Sequence, residues 1–383
     1  MLKSMERKSN KEKPQKTFKN MERKSTSTKR RKRNLLIIFA GLITIIIAWQ
    51  FISGFFREEE KVVRGRFREM VQEVFPEQSV RVSDSFGIRS FETSKASLGK
   101  QQKPARHVVL IHGMDDPGKV WMNLAPALYE EDYAVWIMRY PNDQPVVDSS
   151  RLFFTELKKL AKKGISEIVI VSHSMGGLVS REMLTSPEID YSGQVHSGKI
   201  QRVIGLIMVG TPNHGSEMAR FRFMGEVRDQ YVHFTRGEGH WLRAILDGAG
   251  EAKIDLLPGS RFLTEVNSRP HPEGVKMLVV AGIAVPWSDK NIDNLIRYLQ
   301  TRETDGDQKK LEDLRAALLT TNRSLGDGLV AVDSTRLTGV PHLTVRGTHL
   351  SIIRNLTESS DRIPPALPII IEELRQHVFP RTD

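Results

Sequence analysis

The sequence predicts an α/β fold: a mostly parallel, doubly wound sheet covered by helices, with a cap inserted near its middle and one transmembrane helix ahead of it. Three observations carry this prediction. From residue 80 onward, short β-branched apolar runs alternate with longer amphipathic stretches, which is the rhythm of strand–helix–strand units. Between residues 213 and 272 that rhythm gives way to a long stretch rich in Arg, Gly and scattered aromatics, and an insertion of this size reads as a lid or cap. Ahead of both lies an uncharged run of 22 residues, Leu35 to Phe56.

The first 34 residues hold 14 Lys and Arg against three Glu, and so account for the whole net charge of +11. The remaining residues carry 43 charges of each sign, so no basic domain face is implied and no nucleic-acid partner is expected. Phe18 is the only aromatic residue of the tail, which leaves it without the interleaved rings that stack on bases. The absence of cysteine excludes disulfides, thiol nucleophiles, cysteine-ligated zinc and iron–sulfur clusters.

Of the 22 residues from Leu35 to Phe56, 17 are apolar. As a helix the run would extend roughly 33 Å, enough to cross a hydrocarbon core of about 30 Å. Trp49, Phe51, Phe55 and Phe56 gather at its far end, where aromatic rings favour the membrane interface. A cleaved signal peptide is disfavoured by the long basic stretch, the long apolar run and the lack of a small-x-small cleavage site. Fourteen basic residues precede the run and five follow within a dozen positions, so residues 1–34 are expected in the cytoplasm and everything after residue 57 across the membrane. With no cysteine in the chain, a bacterial inner membrane is the expected setting.

Residues 57–78 place Val63, Phe67, Met70, Val71 and Val74 at helical spacing and predict a stalk helix that leads into the domain or rests on the membrane surface. The domain itself is expected over residues 79–383. Its strands are predicted at 80–91 (one or two strands), 107–111, 133–138, 168–172, 203–209, 275–281 and 342–346, with helices at 121–130, 147–163 and 177–184. A second irregular, charged insertion is expected over about 288–322.

Chemistry concentrates where strands end. Ile168 to Ser172 is an apolar strand that runs through His173 into Ser174, Met175, Gly176, Gly177 and a helix. A serine hydroxyl is a weak nucleophile unless it is held exposed beside a base, and a sharp strand-to-helix turn holds it so. Such a turn demands small residues two before and two after the serine, a demand met by Ser172 and Gly176. The helix that follows turns its positive end toward a developing oxyanion. A second strand, Val108 to Ile111, ends in His112-Gly113-Met114. Acyl transfer needs two backbone donors on the oxyanion, and the N–H groups of Met114 and Met175 occupy the two expected places.

A base and an acid are expected later in the chain, at the ends of the last strands. Of 11 histidines, His349 follows the final strand directly, whereas His342 opens that strand and His173 is tied to the turn. Asp327, in Gly326-Asp327-Gly328-Leu329-Val330, is the favoured acid, with Asp333 its nearest rival and Asp305 and Asp307 behind. The chain order is then Ser174, Asp327, His349.

With these motifs, and with Gly210-Thr211-Pro212-Asn213-His214-Gly215-Ser216 and Leu257-Pro258-Gly259-Ser260-Arg261-Phe262-Leu263, the sequence resembles the α/β-hydrolases of the lipase and esterase kind. It is similar to bacterial lipases and to the lipase-like group that includes the inositol deacylases of GPI anchors. One departure is Ser172, where such families usually have glycine. The resemblance covers residues from about 107 to 350 and implies hydrolysis of a carboxylic ester through Ser174, His349 and Asp327, with no metal or cofactor and with His214 structural. Phe221, Phe223 and Trp241, together with Met224, Phe234 and Leu242, are candidates to line an acyl groove in the cap. A membrane tether favours a lipid or lipid-linked ester as substrate. An acyltransferase or amidase on the same scaffold, and a tethered binding domain without catalysis, remain open on these residues alone.

Overall fold

Seven strands form one sheet among the described residues, and the central strands bury side chains on both faces. The computed structural model describes residues 57–91, 106–114, 116, 118–217, 250–284, 289–300, 308–357 and 359–378. The chain divides into the units Met1–Glu60 and Lys61–Asp383, and the architecture below is that of the second. No helix among the described residues is long and apolar enough to cross a membrane. The basic tail and the apolar run at 35–56 lie outside the described residues.

The strands are β1 (Gly87–Ser90), β2 (Arg106–Ile111), β3 (Tyr133–Arg139), β4 (Glu167–His173), β5 (Arg202–Val209), β6 (Lys276–Ile283) and β7 (His342–Arg346). Their order across the sheet is β1-β3-β2-β4-β5-β6-β7. All neighbours run parallel except β1, which lies antiparallel to β3 at the edge. Alternate residues of each central strand feed opposite faces. Val109, Ile111, Ile168, Ile170, Leu206, Met208 and Val279 join one core, and Val108, Leu110, Val169, Val171, Ile207, Val209, Leu278 and Val280 join the other.

Connecting helices close the two faces. Helix α1 (Arg57–Val74) and α2 (Pro76–Ser83) precede the sheet. They are followed by α3 (Leu124–Glu130), α4 (Val146–Ala161), α5 (Met175–Thr185) and α6 (Tyr191–His196). Beyond β5 come α7 (Glu251–Asp255), α8 (Arg261–Ser268), α9 (Asp289–Gln300), α10 (Gln308–Leu325), α11 (Val332–Thr335) and α12 (Ala366–Glu373).

Two sequence expectations are corrected. Residues 80–83 read as the start of a strand from their alternating Val, yet they form the end of α2. Pro76 at its first helical position and Glu77 in its first turn favour helix there, and the same proline ends α1. The stretch 288–322, expected to be irregular, contains α9 and much of α10, which pack on each other through Ile292, Ile296 and Leu311. Their apolar positions recur every three or four residues, a period hidden among many charges. Of the stretch 213–272, residues 218–249 lie outside the described residues, while Ala252, Leu256, Leu257, Phe262, Leu263 and Val266 pack into the main core.

Candidate active site

In a sheet of this order, β2 is followed outward by β3 on one side and by β4 on the other, and a crevice opens where the direction of winding reverses. The carboxyl ends of β2 and β4 carry the two sequence motifs, His112-Gly113-Met114 and Ser174-Met175-Gly176. Ser174 sits at φ 53° and ψ −130°, a conformation unusual for any residue but glycine, between the end of β4 and the first turn of α5. Its N–H donates to the carbonyl of Val209, 2.8 Å away on β5, which anchors the turn to the neighbouring strand.

The two motifs touch. A Cβ on Gly113 would lie 2.5 Å from Ser174 Cβ, and one on Gly176 would lie 2.4 Å from the carbonyl oxygen of Ile111. Only glycine lets the β2 loop pass this close to the serine. Ser172 is fully buried, and its hydroxyl donates to the carbonyl of Ile207 at 3.1 Å, so the departure from glycine is accommodated with its polar group satisfied. Met175 is the first residue of α5, where the backbone N–H has no partner within the helix, and Met114 is buried at the end of the β2 loop.

His349 and Asp327 meet from loops after β7 and α10. His349 Nδ1 and Asp327 Oδ2 are 2.7 Å apart, and the pair is almost wholly shielded from solvent. The other carboxylate oxygen accepts from the backbone N–H groups of Leu329 (2.9 Å) and Val330 (2.8 Å), and the Asp327 carbonyl accepts from the His349 N–H at 2.9 Å. Gly-Asp-Gly thus forms a turn around its own carboxylate, and the acid has little freedom to rotate. With Nδ1–H given to Asp327, Nε2 of His349 carries the lone pair. Asp333, the rival acid, lies on α11 with its side chain exposed and paired to Arg336.

His173 joins the pair to the turn. Its ring centroid is 4.7 Å from that of His349, and its Nε2 lies 3.0 Å from the His349 carbonyl. Ser174 is the next residue, so the serine, the imidazole and the carboxylate lie in one neighbourhood. No hydrogen bond joins Ser174 Oγ to His349 among the described residues; such contacts commonly tighten only when substrate binds.

Two supports flank the site, of which the first, Tyr140, carried no signal in the sequence and the second lies in a motif of the resemblance. Tyr140, at the end of β3, stacks on the His112 ring at 4.6 Å and donates its hydroxyl to the His112 carbonyl at 2.6 Å, which stiffens the β2 loop. Burial pushes the His112 imidazole down to about 4, so it is neutral at physiological pH. The second support is the Thr211-Pro212-Asn213-His214-Gly215-Ser216 loop. Asn213 donates to the carbonyl of Thr335 at 2.7 Å and accepts from Arg181 at 3.1 Å. His214 Nε2 lies 3.0 Å from the Arg336 carbonyl, a structural contact on an exposed residue. Ser260 of the Leu-Pro-Gly-Ser stretch caps α8 by accepting from the Leu263 N–H at 3.2 Å. Phe221, Phe223 and Trp241, with Met224, Phe234 and Leu242, lie outside the described residues.

A cavity of about 600 Å³ lies at the opposite end of β5, lined by Leu184, Tyr191, Val195, Val203, Arg269 and His271, away from Ser174. No group of three or more His, Cys, Asp or Glu is gathered to hold a metal ion among the described residues.

Residues 108–351 match the model of the alpha/beta hydrolase family. No curated protein matches the chain by sequence. Among solved structures, the mature lipase BlEst2 of Bacillus licheniformis is 19% identical with a TM-score of 0.47, over 75% of this chain and 97% of that one. The lipase of Staphylococcus hyicus is 13% identical with a TM-score of 0.45, over 72% of this chain and 97% of that one. Phospholipase PlaB of Legionella pneumophila is 16% identical with a TM-score of 0.44, over 70% of this chain and 59% of that one. The family match spans well over half of the residues, from the strand that leads into His112 to the loop that carries His349, and by it the chain belongs to the alpha/beta hydrolase family.

Proposed function

We propose that this protein is a serine hydrolase that cleaves carboxylic esters of lipids or lipid-linked molecules, with Ser174 as nucleophile, His349 as base and Asp327 as the acid that orients it. The observation that carries this reading is Ser174 at a strand-to-helix turn with positive φ, beside a buried His349–Asp327 pair. In the reaction, His349 Nε2 takes the hydroxyl proton as Ser174 Oγ attacks the acyl carbon. The oxyanion is received by the N–H groups of Met114 and Met175, and collapse expels the alcohol, which leaves with the proton from His349. Water then attacks the acyl-enzyme with His349 again as base, releasing the acid and restoring Ser174. Asp327 keeps the imidazole in the productive tautomer and stabilises the imidazolium of each step.

The choice of a lipid substrate rests on the apolar run at 35–56, which would hold the domain on the outer face of the membrane with residues 1–34 in the cytoplasm. In this reading Phe221, Phe223 and Trp241 contribute the acyl-binding surface of the cap. The test is turnover of p-nitrophenyl esters from two to sixteen carbons by the full chain in detergent. Release that rises with chain length and disappears in Ser174→Ala supports the reading. A Ser174→Ala variant as active as the parent would remove Ser174 from the chemistry.

A further inference from the structure

Helix α1 carries its polarity in reverse. A surface helix normally turns its apolar stripe inward and its charges to water. Here the inward face is mostly ionic, with Val71 its buried apolar side chain: Lys61 Nζ lies 2.5 Å from Asp255 Oδ1, and Arg68 lies 2.9 Å from Glu251 Oε2 and 3.3 Å from Asp148 Oδ2. Gly65, on the same face, lets the helix come so close that a Cβ there would stand 3.0 Å from Glu251 Oε1. Val63, Phe67, Met70 and Val74 face outward instead, 66, 45, 51 and 63% exposed. Their spacing of four, three and four residues aligns them in one stripe about 16 Å long. An aligned apolar stripe on the surface of a soluble domain marks a contact with something apolar.

We infer that this stripe docks onto a lipid surface, so that α1 lies along the membrane rather than standing off it as a spacer. The inference rests on the membrane reading of residues 35–56 and goes beyond it. The chain enters α1 directly from Phe56, the last residue of the apolar run, so the stripe begins only seven residues beyond a segment long enough to span the hydrocarbon core. Residues 57–74 hold five basic and five acidic side chains, which makes the contact one of apolar side chains with the interface and independent of anionic lipid. The same helix grips Glu251 and Asp255 on α7, the element with which the described chain resumes after residues 218–249. Lipid contact and the return of the cap insertion into the core therefore share one helix.

The chain has no cysteine, so single cysteines can be placed without background. The full-length protein is reconstituted into phosphatidylcholine vesicles with one-fifth phosphatidylglycerol. Spin labels are placed singly through Val63→Cys, Phe67→Cys, Met70→Cys and Val74→Cys, and for comparison through Arg66→Cys, Glu69→Cys and Glu73→Cys. Docking predicts high collision with oxygen and low collision with a water-soluble nickel complex at the four stripe positions, the reverse at the other three, and the same pattern without phosphatidylglycerol. Stripe labels as accessible to nickel as the others, in protein that floats with the vesicles, would overturn the docking and leave the tether intact. Labels shielded from both reagents would mean that protein covers the stripe, either residues 218–249 or a second copy, and would also overturn it. Protein that does not float overturns docking and tether together. None of these readouts requires hydrolytic activity.

Discussion

Both carboxylate oxygens of Asp327 are engaged: one on His349 Nδ1, the other on two backbone N–H groups of its own turn. Asp327→Asn should preserve this turn while presenting the wrong partner to the imidazole. A loss of kcat on the order of 10³ to 10⁴ with little change in Tm is expected from steady-state kinetics and calorimetry. Asp333→Asn, at an exposed side chain paired with Arg336, should leave kcat unchanged. His112 gives a second prediction. Its folded-state pKa, about 4, lies below the ordinary 6.5, so the unfolded chain binds a proton that the native state does not. Stability from this group is complete above about pH 6.5 and is lost as pH falls toward 4, by about 3 kcal/mol in all. His107 and His342, both half-buried and held down chiefly by burial, act in the same direction. Urea unfolding at pH 7.5 and pH 4.5 reads the loss, and His112→Gln should reduce the difference between the two.

At the scale of elements, β2 and the first turn of α5 approach through glycine. A methyl group at Gly176 would lie 2.4 Å from one backbone carbonyl and 2.6 Å from the next, atoms that cannot swing aside. Gly176→Ala should therefore cost about 2 kcal/mol or more in denaturant unfolding and lower activity, because it pushes the Met114 loop away from Ser174. The small residues of this turn were legible in the sequence because their signal is local, an apolar strand followed by a run of small residues, whereas the approach of Gly176 to the β2 carbonyls was not. Asp327 and His349 were singled out from a recognisable turn and from the end of an expected strand, and the structure brings their side chains to 2.7 Å, their catalytic roles being proposed. The sequence could not assign Tyr140 or His173 their roles. The Tyr140 hydroxyl meets a carbonyl 28 residues away and the His173 ring one 176 residues away, and neither pairing leaves a pattern in the chain. Helix α2 was missed for the opposite reason, since a local alternation of Val80 and Val82 imitated a strand that Pro76 had already forestalled.

For the whole molecule, charge and hydropathy are segregated along the chain. All net charge sits before residue 35, the uncharged run follows, and a balanced domain completes it. Within that domain the parallel order brings residues 112–114, 174–175, 327 and 349 to one end of one sheet, although they are spread over more than 230 positions. The proposed consequence of this convergence is a nucleophilic Ser174. The most direct measurement is labelling of the full-length protein by a fluorophosphonate, with the modified peptide identified by mass spectrometry. Stoichiometric label on Ser174, its loss in Ser174→Ala and strong slowing in His349→Ala are expected. Label on another serine would remove Ser174 from the chemistry, and folded protein that takes no label, with or without detergent, would leave a hydrolase fold used for binding.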